Sequence, residues 1–369
     1  MRIPDYEGGS LLNLAAELER RLTGEAPHPG LHPDLAGTIP DADTYVLVLF
    51  DGLGDLQLRH PAAAPFRNGR VGALDAPFPS TTTVSLATIA TGRSPAEHGL
   101  LGYQLWLPEA GLVVNTIKWI TLWGQPIVWD HETFLPAPNL WERLASSGKE
   151  PITLQPFDFE GTPLSRTLYR GCRFEPWADE REAVRATAQL AAKPGRLIFL
   201  YVPHIDFAAH VVGQADPAYE EALRIAAGIW EQLGHALPMG AVAVGTADHG
   251  HIDVAPEQQF HLSKPDHVER EFAGDPRALF VHGEPGDLVD RLPATWFARS
   301  EMDHWWGPGE RHVGFDSRAP DGVFLAEKGR SILHRHSDER LIGQHGGLSE
   351  AEIRIPLLVH GPGPDPVAT

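Results

Sequence analysis

YVLVLFDG (45–52) is the stretch that decides the fold: six apolar, β-favouring residues in a row, closed by Asp51 and Gly52. A run without polar alternation suits a strand buried on both faces, as in a parallel sheet. The same shape recurs in GRLIFLYVPHID (195–206), MGAVAVGTADHG (239–250) and IRIPLLVHGPG (353–363). Between these runs lie helical patterns with their own start and stop signals. NLWERLASSG (139–148) opens on an Asn cap and closes on Gly, and DEREAVRATAQLAA (179–192) follows. DPAYEEALRIAAGIWEQLGHAL (216–237) opens on an Asp cap with Pro in the first helical position. A further helix is expected over SLLNLAAELERRLT (10–23), stopped by Gly24. Strand and helix alternate, which predicts an α/β fold with a mainly parallel central sheet flanked by helices.

Two stretches break the rhythm. Residues 101–135 are rich in Trp, and residues 254–340 are rich in Pro, His and Trp. Both read as insertions that build loops or a small cap over the C-terminal edge of the sheet. The expected organisation is a core over 1–253 and 341–369, with 254–340 as the inserted cap subdomain.

Composition narrows the function classes. Among 369 residues, 30 Lys and Arg face 49 Asp and Glu, a formal net charge of −19. Such a surface repels a phosphate backbone, so a nucleic-acid-coating role is excluded. A compact anionic substrate remains acceptable where a metal ion reverses the local field. The single cysteine, Cys172, forms no intrachain disulfide. The N-terminal MRIPDYEGGS lacks a basic segment followed by an apolar run, and no apolar stretch approaches the ~18 residues of a membrane span. The expectation is a soluble cytoplasmic protein without a membrane span; oligomeric state is left open.

Carboxylates and histidines collect just after the strands, the edge that forms the ligand crevice of open α/β sheets. They are Asp51, Asp206, His210, Asp248, His249 and, farther on, His345 in IGQHGGLSEAE (342–352). Any one of them could simply cap a helix; together, unpaired, they would repel one another. A metal resolves that conflict, and an Asp/His mixture suits zinc, with manganese or iron as looser fits. Asp206 and His210 are four apart, so one helical turn would aim both at a shared ion. In FPSTTTVSLATIATGRSPAEHGL (78–100), three threonines precede a helical run. A hydroxyl there sits beside free N–H groups and a positive dipole end, a seat for phosphate.

Together these segments resemble the alkaline phosphatase superfamily, and within it the type I phosphodiesterase/nucleotide pyrophosphatase family. That family shows a strand ending in Asp-Gly, then F-P-T-K-T-F-P-N-H…T-G-x-x-P-x-x-H-G; here FDG (50–52) and 78–100 correspond, with equal length from Phe78 to Gly92. Its Asp-x-x-Gly-His, Ser-Asp-His-Gly and late His-Gly appear at Asp206–His210, Ala247–Gly250 and His345-Gly346. The resemblance implies two Zn2+ ions, the first held by Asp206, His210 and His345. Asp51, Asp248, His249 and the Thr82 hydroxyl would hold the second. It implies Thr82 as nucleophile, with Thr81 and Thr83 as register alternatives, and a phosphothreonine intermediate. The family's Asn three past the nucleophile is Ser85 here and the adjacent His is Leu86. A later Asn that bonds a phosphoryl oxygen falls on Tyr103, so Tyr103 and Gln104 are the candidate substrate donors.

His98 reads as structural, and His204 and His251 as partners that orient the ligands. His304, His312, His334 and His336 read as loop histidines, and most of the tryptophans as packing for an inserted subdomain. Cys172 lacks the Cys-x-Pro-x-Arg context of sulfatases. The leading function is a metal-dependent phosphodiesterase or nucleotide pyrophosphatase acting on a small phosphate ester. The alternatives are a phosphomonoesterase or phosphonate hydrolase on the same scaffold, and a non-catalytic binder of metal or phosphate.

Overall fold

The computed structural model describes residues 1–360. The last three residues of the 353–363 run, and the rest of the expected core segment through 369, lie outside the described residues. Two seven-stranded sheets are formed. In chain order their strands are β1 (Thr44–Phe50), β2 (Arg70–Asp75), β3 (Gln104–Leu107), β4 (Leu112–Asn115) and β5 (Ile120–Thr121). There follow β6 (Glu150–Pro156), β7 (Arg173–Trp177), β8 (Arg196–Val202), β9 (Ala241–Thr246) and β10 (Glu271–Asp275). The last four are β11 (Ala278–His282), β12 (Ala294–Ala298), β13 (Gly322–Ala326) and β14 (Arg354–His360).

The central sheet has the order β2-β14-β9-β1-β8-β6-β7. Strand β1 lies parallel between β8 and β9, and β6 lies parallel between β8 and β7. Every residue of β1, β8 and β9 is buried, as their unbroken apolar sequences predict. The fourth apolar run, β14, is antiparallel to both β9 and β2. It is entered from the loop carrying His345 with only a short helical turn (Glu350–Ile353) in between, whereas a parallel neighbour needs a crossover of a dozen or more residues.

Six helices matter below: α1 (Leu11–Thr23), α2 (Thr82–Thr91), α3 (Leu140–Ser146), α4 (Glu180–Ala191), α5 (His204–Val212) and α6 (Pro217–Ala236). Their ends follow local chemistry. Asn139, Asp179 and Asp216 each accept a backbone N–H of the helix they open, at 2.8 Å. Gly24 and Gly92 close α1 and α2 in the left-handed region, at φ 92° and 60°.

The second sheet has the order β12-β13-β11-β10-β3-β4-β5, and its pairings are antiparallel. Both stretches read as loops or a small cap therefore contribute strands to one sheet. It draws on chain from either side of residue 254 and is joined through Gly274 opposite Gln104. Leu105, Leu107, Ala273 and Phe280 pack into the main core, while Phe272, Leu279, Val281 and Phe324 build a second cluster with Leu262, Leu288 and Ile332. Aromatic packing ties this sheet and its connections to the core: Phe78 meets Phe280 of β11 at 6.0 Å and sits edge-on to Trp305 and Trp306 of the helical turn after β12, ring centroids 5.1 Å away in each case. Trp119, Trp305 and Trp306 are buried, whereas Trp123 is exposed. Among the described residues, no helix is long and apolar enough to cross a membrane.

Candidate metal centre and nucleophile

At the C-terminal edge of the central sheet, β1 ends in Asp51, β8 runs into α5 with Asp206 and His210, and β9 runs into Asp248 and His249. The loop before β14 brings His345. The structure gathers all of these residues. His210 Nε2 lies 3.3 Å from Asp206 Oδ1 and 3.3 Å from His345 Nε2, and His345 Nε2 lies 3.9 Å from Asp206 Oδ1. His249 Nε2 lies 3.5 Å from both Asp51 Oδ1 and Asp248 Oδ2. The rings of His249 and His345 stack at 3.7 Å between centroids.

Hydrogen bonds behind these side chains fix which atoms face inward. Asp248 Oδ1 accepts the backbone N–H groups of Gly52 and His249, each at 3.0 Å, and the Tyr201 hydroxyl donates to Asp51 Oδ2. Their other oxygens, Asp248 Oδ2 and Asp51 Oδ1, are buried without a hydrogen-bond partner among the described residues. The histidines are tethered in one way. Nδ1 of His210, His249, His251 and His345 meets the main-chain carbonyls of Gly343, Gly250, Gly52 and Ser80, at 2.7, 3.2, 3.2 and 3.0 Å respectively. Because a carbonyl only accepts, each Nδ1 carries the proton and donates it, which leaves the four Nε2 lone pairs directed inward. With the imidazoles neutral, these lone pairs and the carboxylate oxygens converge, an arrangement that a divalent cation would satisfy. Asp51, Asp248 and His249 form one group able to hold an ion, and Asp206, His249, His251 and His345 another.

The titration behaviour follows from this crowding. Burial, with Asp206 and Asp248 adding repulsion, pushes Asp51 well above the usual carboxylate range. Burial also opposes the charge on Asp206, but His210 and His251 outweigh it and hold the group well below that range. Burial likewise opposes the charge on His210, yet Asp206 prevails and lifts its pKa to about 9. His345 is driven well down by burial and by the neighbouring His249 and His210, and His249 is lowered by burial despite Asp248.

Of the three threonines, Thr82 is the first residue of α2, and its Oγ1 lies 3.2 Å from His249 Nε2. Thr81 Oγ1 points elsewhere, to Asp275 Oδ1 at 3.1 Å, and Thr83 Oγ1 is buried without a partner. Ser85 Oγ donates to the Asp248 carbonyl at 2.8 Å and so binds α2 to the loop that carries Asp248 and His249. The Tyr103 hydroxyl accepts from Asn115 Nδ2 at 2.7 Å, and burial next to Asp275 raises its pKa. Gln104 Oε1 meets His334 Nε2 at 2.6 Å, and His334, read as a loop histidine, is buried. His98 fits its structural reading, with Nε2 3.2 Å from Thr88 Oγ1 on α2. His204 does not orient a ligand; it meets Glu180 at 3.0 Å and lies over Trp177.

Three neighbours of the site were missed or underrated by sequence reasoning. His251, with Nε2 2.9 Å from Asp206 Oδ1, is closer to the cluster than an orienting partner; its signal was the second His of Asp-His-Gly-His. Tyr201 reaches Asp51 because side chains alternate along β8, which a uniformly apolar strand conceals. Asp275 lies on the second sheet, and nothing in GDPR (274–277) marks it.

The family model for type I phosphodiesterase/nucleotide pyrophosphatase matches residues 45–348. No curated protein sequence matches the chain. Among solved structures, murine ectonucleotide pyrophosphatase/phosphodiesterase 5 is similar, with 19% identity, 86% of this chain and 88% of that one covered, and a TM-score of 0.66. Its inactive threonine-to-alanine form in complex with AMP matches over the same shares at 18% identity and TM-score 0.66. Phosphonoacetate hydrolase from Sinorhizobium meliloti 1021, in complex with phosphonoacetate, has 17% identity, 89% and 91% covered, and a TM-score of 0.62.

Proposed function

The chain belongs to the type I phosphodiesterase/nucleotide pyrophosphatase family and is a phosphoric ester hydrolase, and from that premise we propose that it cleaves phosphodiesters through a phosphothreonine formed at Thr82. The observation that carries this reading is the convergence of Asp51 Oδ1, Asp248 Oδ2 and four imidazole Nε2 atoms beside one threonine hydroxyl. That donor set fits two divalent ions, zinc by its Asp/His chemistry, with manganese or iron as alternatives. Asp206, His210 and His345 would hold one, with His251 in reach, and Asp51, Asp248, His249 and Thr82 the other. The chemistry such a pair supplies is a lowered pKa for the Thr82 hydroxyl and neutralisation of charge on the phosphoryl and leaving oxygens.

The chain's own groups do the rest. Thr82 Oγ attacks phosphorus in line, the bond to the leaving oxygen breaks, and water then hydrolyses the phosphothreonine. The N–H groups of Thr82 and Thr83 open α2 and have no acceptor within the helix, so they face a non-bridging oxygen at the positive end of the helix dipole. Tyr103 accepts from Asn115 and keeps its own proton to donate, which suits it to a second non-bridging oxygen; the Gln104 amide is the other candidate donor. His249 Nε2 and the Thr82 hydroxyl lie 3.2 Å apart, close enough to share one ion. The threonine-to-alanine form of the murine relative, named as inactive, supports a threonine in this role. The lone cysteine supports a cytoplasmic site of action.

Zinc-loaded protein is expected to hydrolyse bis(p-nitrophenyl) phosphate, and Thr82→Ala to lower kcat by about a thousandfold or more, since nothing else in the site replaces a nucleophile. Full activity in Thr82→Ala would move the nucleophile elsewhere. Rates on a monoester, a diester and phosphonoacetate rank the ester hydrolase readings against phosphonate cleavage.

A further inference from the structure

We infer that Asp275 is a positioning residue for the nucleophile helix, one that keeps the N-terminus of α2 open by engaging the hydroxyl that would otherwise cap it. The inference rests on the proposed reading, with Thr82 as nucleophile and phosphate bound at the start of α2.

The residue that precedes a helix normally accepts one of the free N–H groups with its side chain, and Thr is favoured for that purpose. Thr81 occupies this position with extended backbone (φ −139°, ψ 147°), yet its side chain makes no capping bond. Its carbonyl does the backbone part of the work, accepting Val84 N–H at 3.2 Å and Ser85 N–H at 3.1 Å. Its hydroxyl instead donates to Asp275 Oδ1 at 3.1 Å, across 194 residues of chain. Thr81 is buried, so bulk water does not serve its hydroxyl, and without Asp275 the partners open to a threonine in this position are the free N–H groups of α2. A self-capped helix would present those groups to its own threonine and no longer to a phosphoryl oxygen.

Asp275 is an expensive residue to keep for stability alone. It is 4% exposed, and among the described residues its Oδ2 has no hydrogen-bond partner and its single side-chain hydrogen bond is the one from Thr81. Burial raises its pKa to about 7 against the opposing Thr81 bond, which describes a carboxyl held where a carboxylate is disfavoured. An apolar residue of the same volume would fit a buried strand end better. The second sheet also delivers it firmly: two residues on, Arg277 forms a buried two-bond pair with Glu352 (3.1 and 3.0 Å), and Glu352 accepts Gly347 N–H at 3.0 Å. The Gly347 carbonyl in turn accepts from Ser80 Oγ at 2.7 Å, so the strand end and the threonine turn share one framework.

The test uses full-length zinc-loaded protein carrying Asp275→Val, which removes the acceptor and suits a strand. We expect kcat/KM on bis(p-nitrophenyl) phosphate to fall about 10- to 100-fold, the scale of a misplaced reacting group, with unfolding temperature unchanged or raised. Inorganic phosphate affinity, which needs no turnover, should weaken in the same variant. Adding Thr81→Val, which removes the hydroxyl able to cap, should recover most of both losses, and Asp275→Asn, which keeps the acceptor, should recover most of what Asp275→Val loses. Should Asp275→Val fold poorly, Asp275→Ala with and without Thr81→Val gives the same comparison. A double variant no better than Asp275→Val, or Asp275→Val within twofold of the parent, overturns the inference. If the parent binds phosphate but hydrolyses no ester, the functional reading fails, and the phosphate affinities of the variants still decide the role of Asp275.

Discussion

The two sheets meet at the threonine turn and supply it with different things. The edge of the parallel sheet offers charge: three carboxylates and four imidazoles, delivered by strand ends that are themselves wholly buried. The antiparallel sheet and its connections offer position: Asp275 on the Thr81 hydroxyl, Trp305 and Trp306 against Phe78, and Arg277 locked to Glu352. The first group carries the proposed chemistry and is energetically uncomfortable, held together against repulsion. The second is electrostatically satisfied apart from Asp275 Oδ2, and acts through contacts. The difference separates what a site must contain from what keeps it in register.

Three experiments press on that division. The largest effect is expected from the charged side. Asp51→Asn removes an inward oxygen and should cut kcat by about 10²- to 10³-fold, the scale of several kcal/mol of lost charge stabilisation. Metal analysis should show it falling from two ions per chain toward one; unchanged metal content would remove Asp51 from the ligand set. On the positioning side, Arg277→Met strands Glu352 as a buried charge, and urea unfolding should report a loss of about 3–5 kcal/mol. A loss below about 1 kcal/mol would mean that the two sheets are held together by apolar packing alone. The smallest effect concerns His98, which burial, helped by His312, lowers to about 3. The unfolded chain protonates this group near its ordinary value, whereas the folded chain stays neutral. Stability is therefore intact above that value and declines as pH falls toward 3. The slope is about 1.4 kcal/mol per pH unit for one such group. His98→Gln should flatten the decline by that amount between pH 6 and 5, as read by urea unfolding at each pH. An unchanged slope would shift the acid sensitivity to His282 at the end of β11 and to His334 beyond the second sheet, which burial lowers to about 4 and 3.

The same division explains what could be read before the fold was known. Strands β1, β8 and β9 announce themselves because burial on both faces demands uninterrupted apolar residues, and a carboxylate directly after such a run has few roles but ligation or capping. Asp51, Asp206 and Asp248 stand out for that reason. Helix ends were legible at Asn139, Asp179, Asp216 and Gly24, where a single side chain or a glycine sets the boundary. The second sheet was not legible as a sheet. Most of its strands are four or five residues long, they bury different faces in two clusters, and its two halves join through one pairing, Gly274 with Gln104, that carries no local signature. Asp275 followed by Pro reads as a turn, and only the folded chain shows its oxygen against Thr81. Tyr201 and His251 failed for a smaller reason: each sits beside a recognised motif, and its orientation depends on a strand end or loop whose geometry the motif does not encode.

Tethering each imidazole through Nδ1 to a main-chain carbonyl has a further result. Gly52, Ser80, Gly250 and Gly343 belong to four separate connections of the sheet edge, so two ions held as proposed would together pull on all four. Ion occupancy and backbone order around the cleft would then be one equilibrium, with the entropy of those connections lost before any ester arrives.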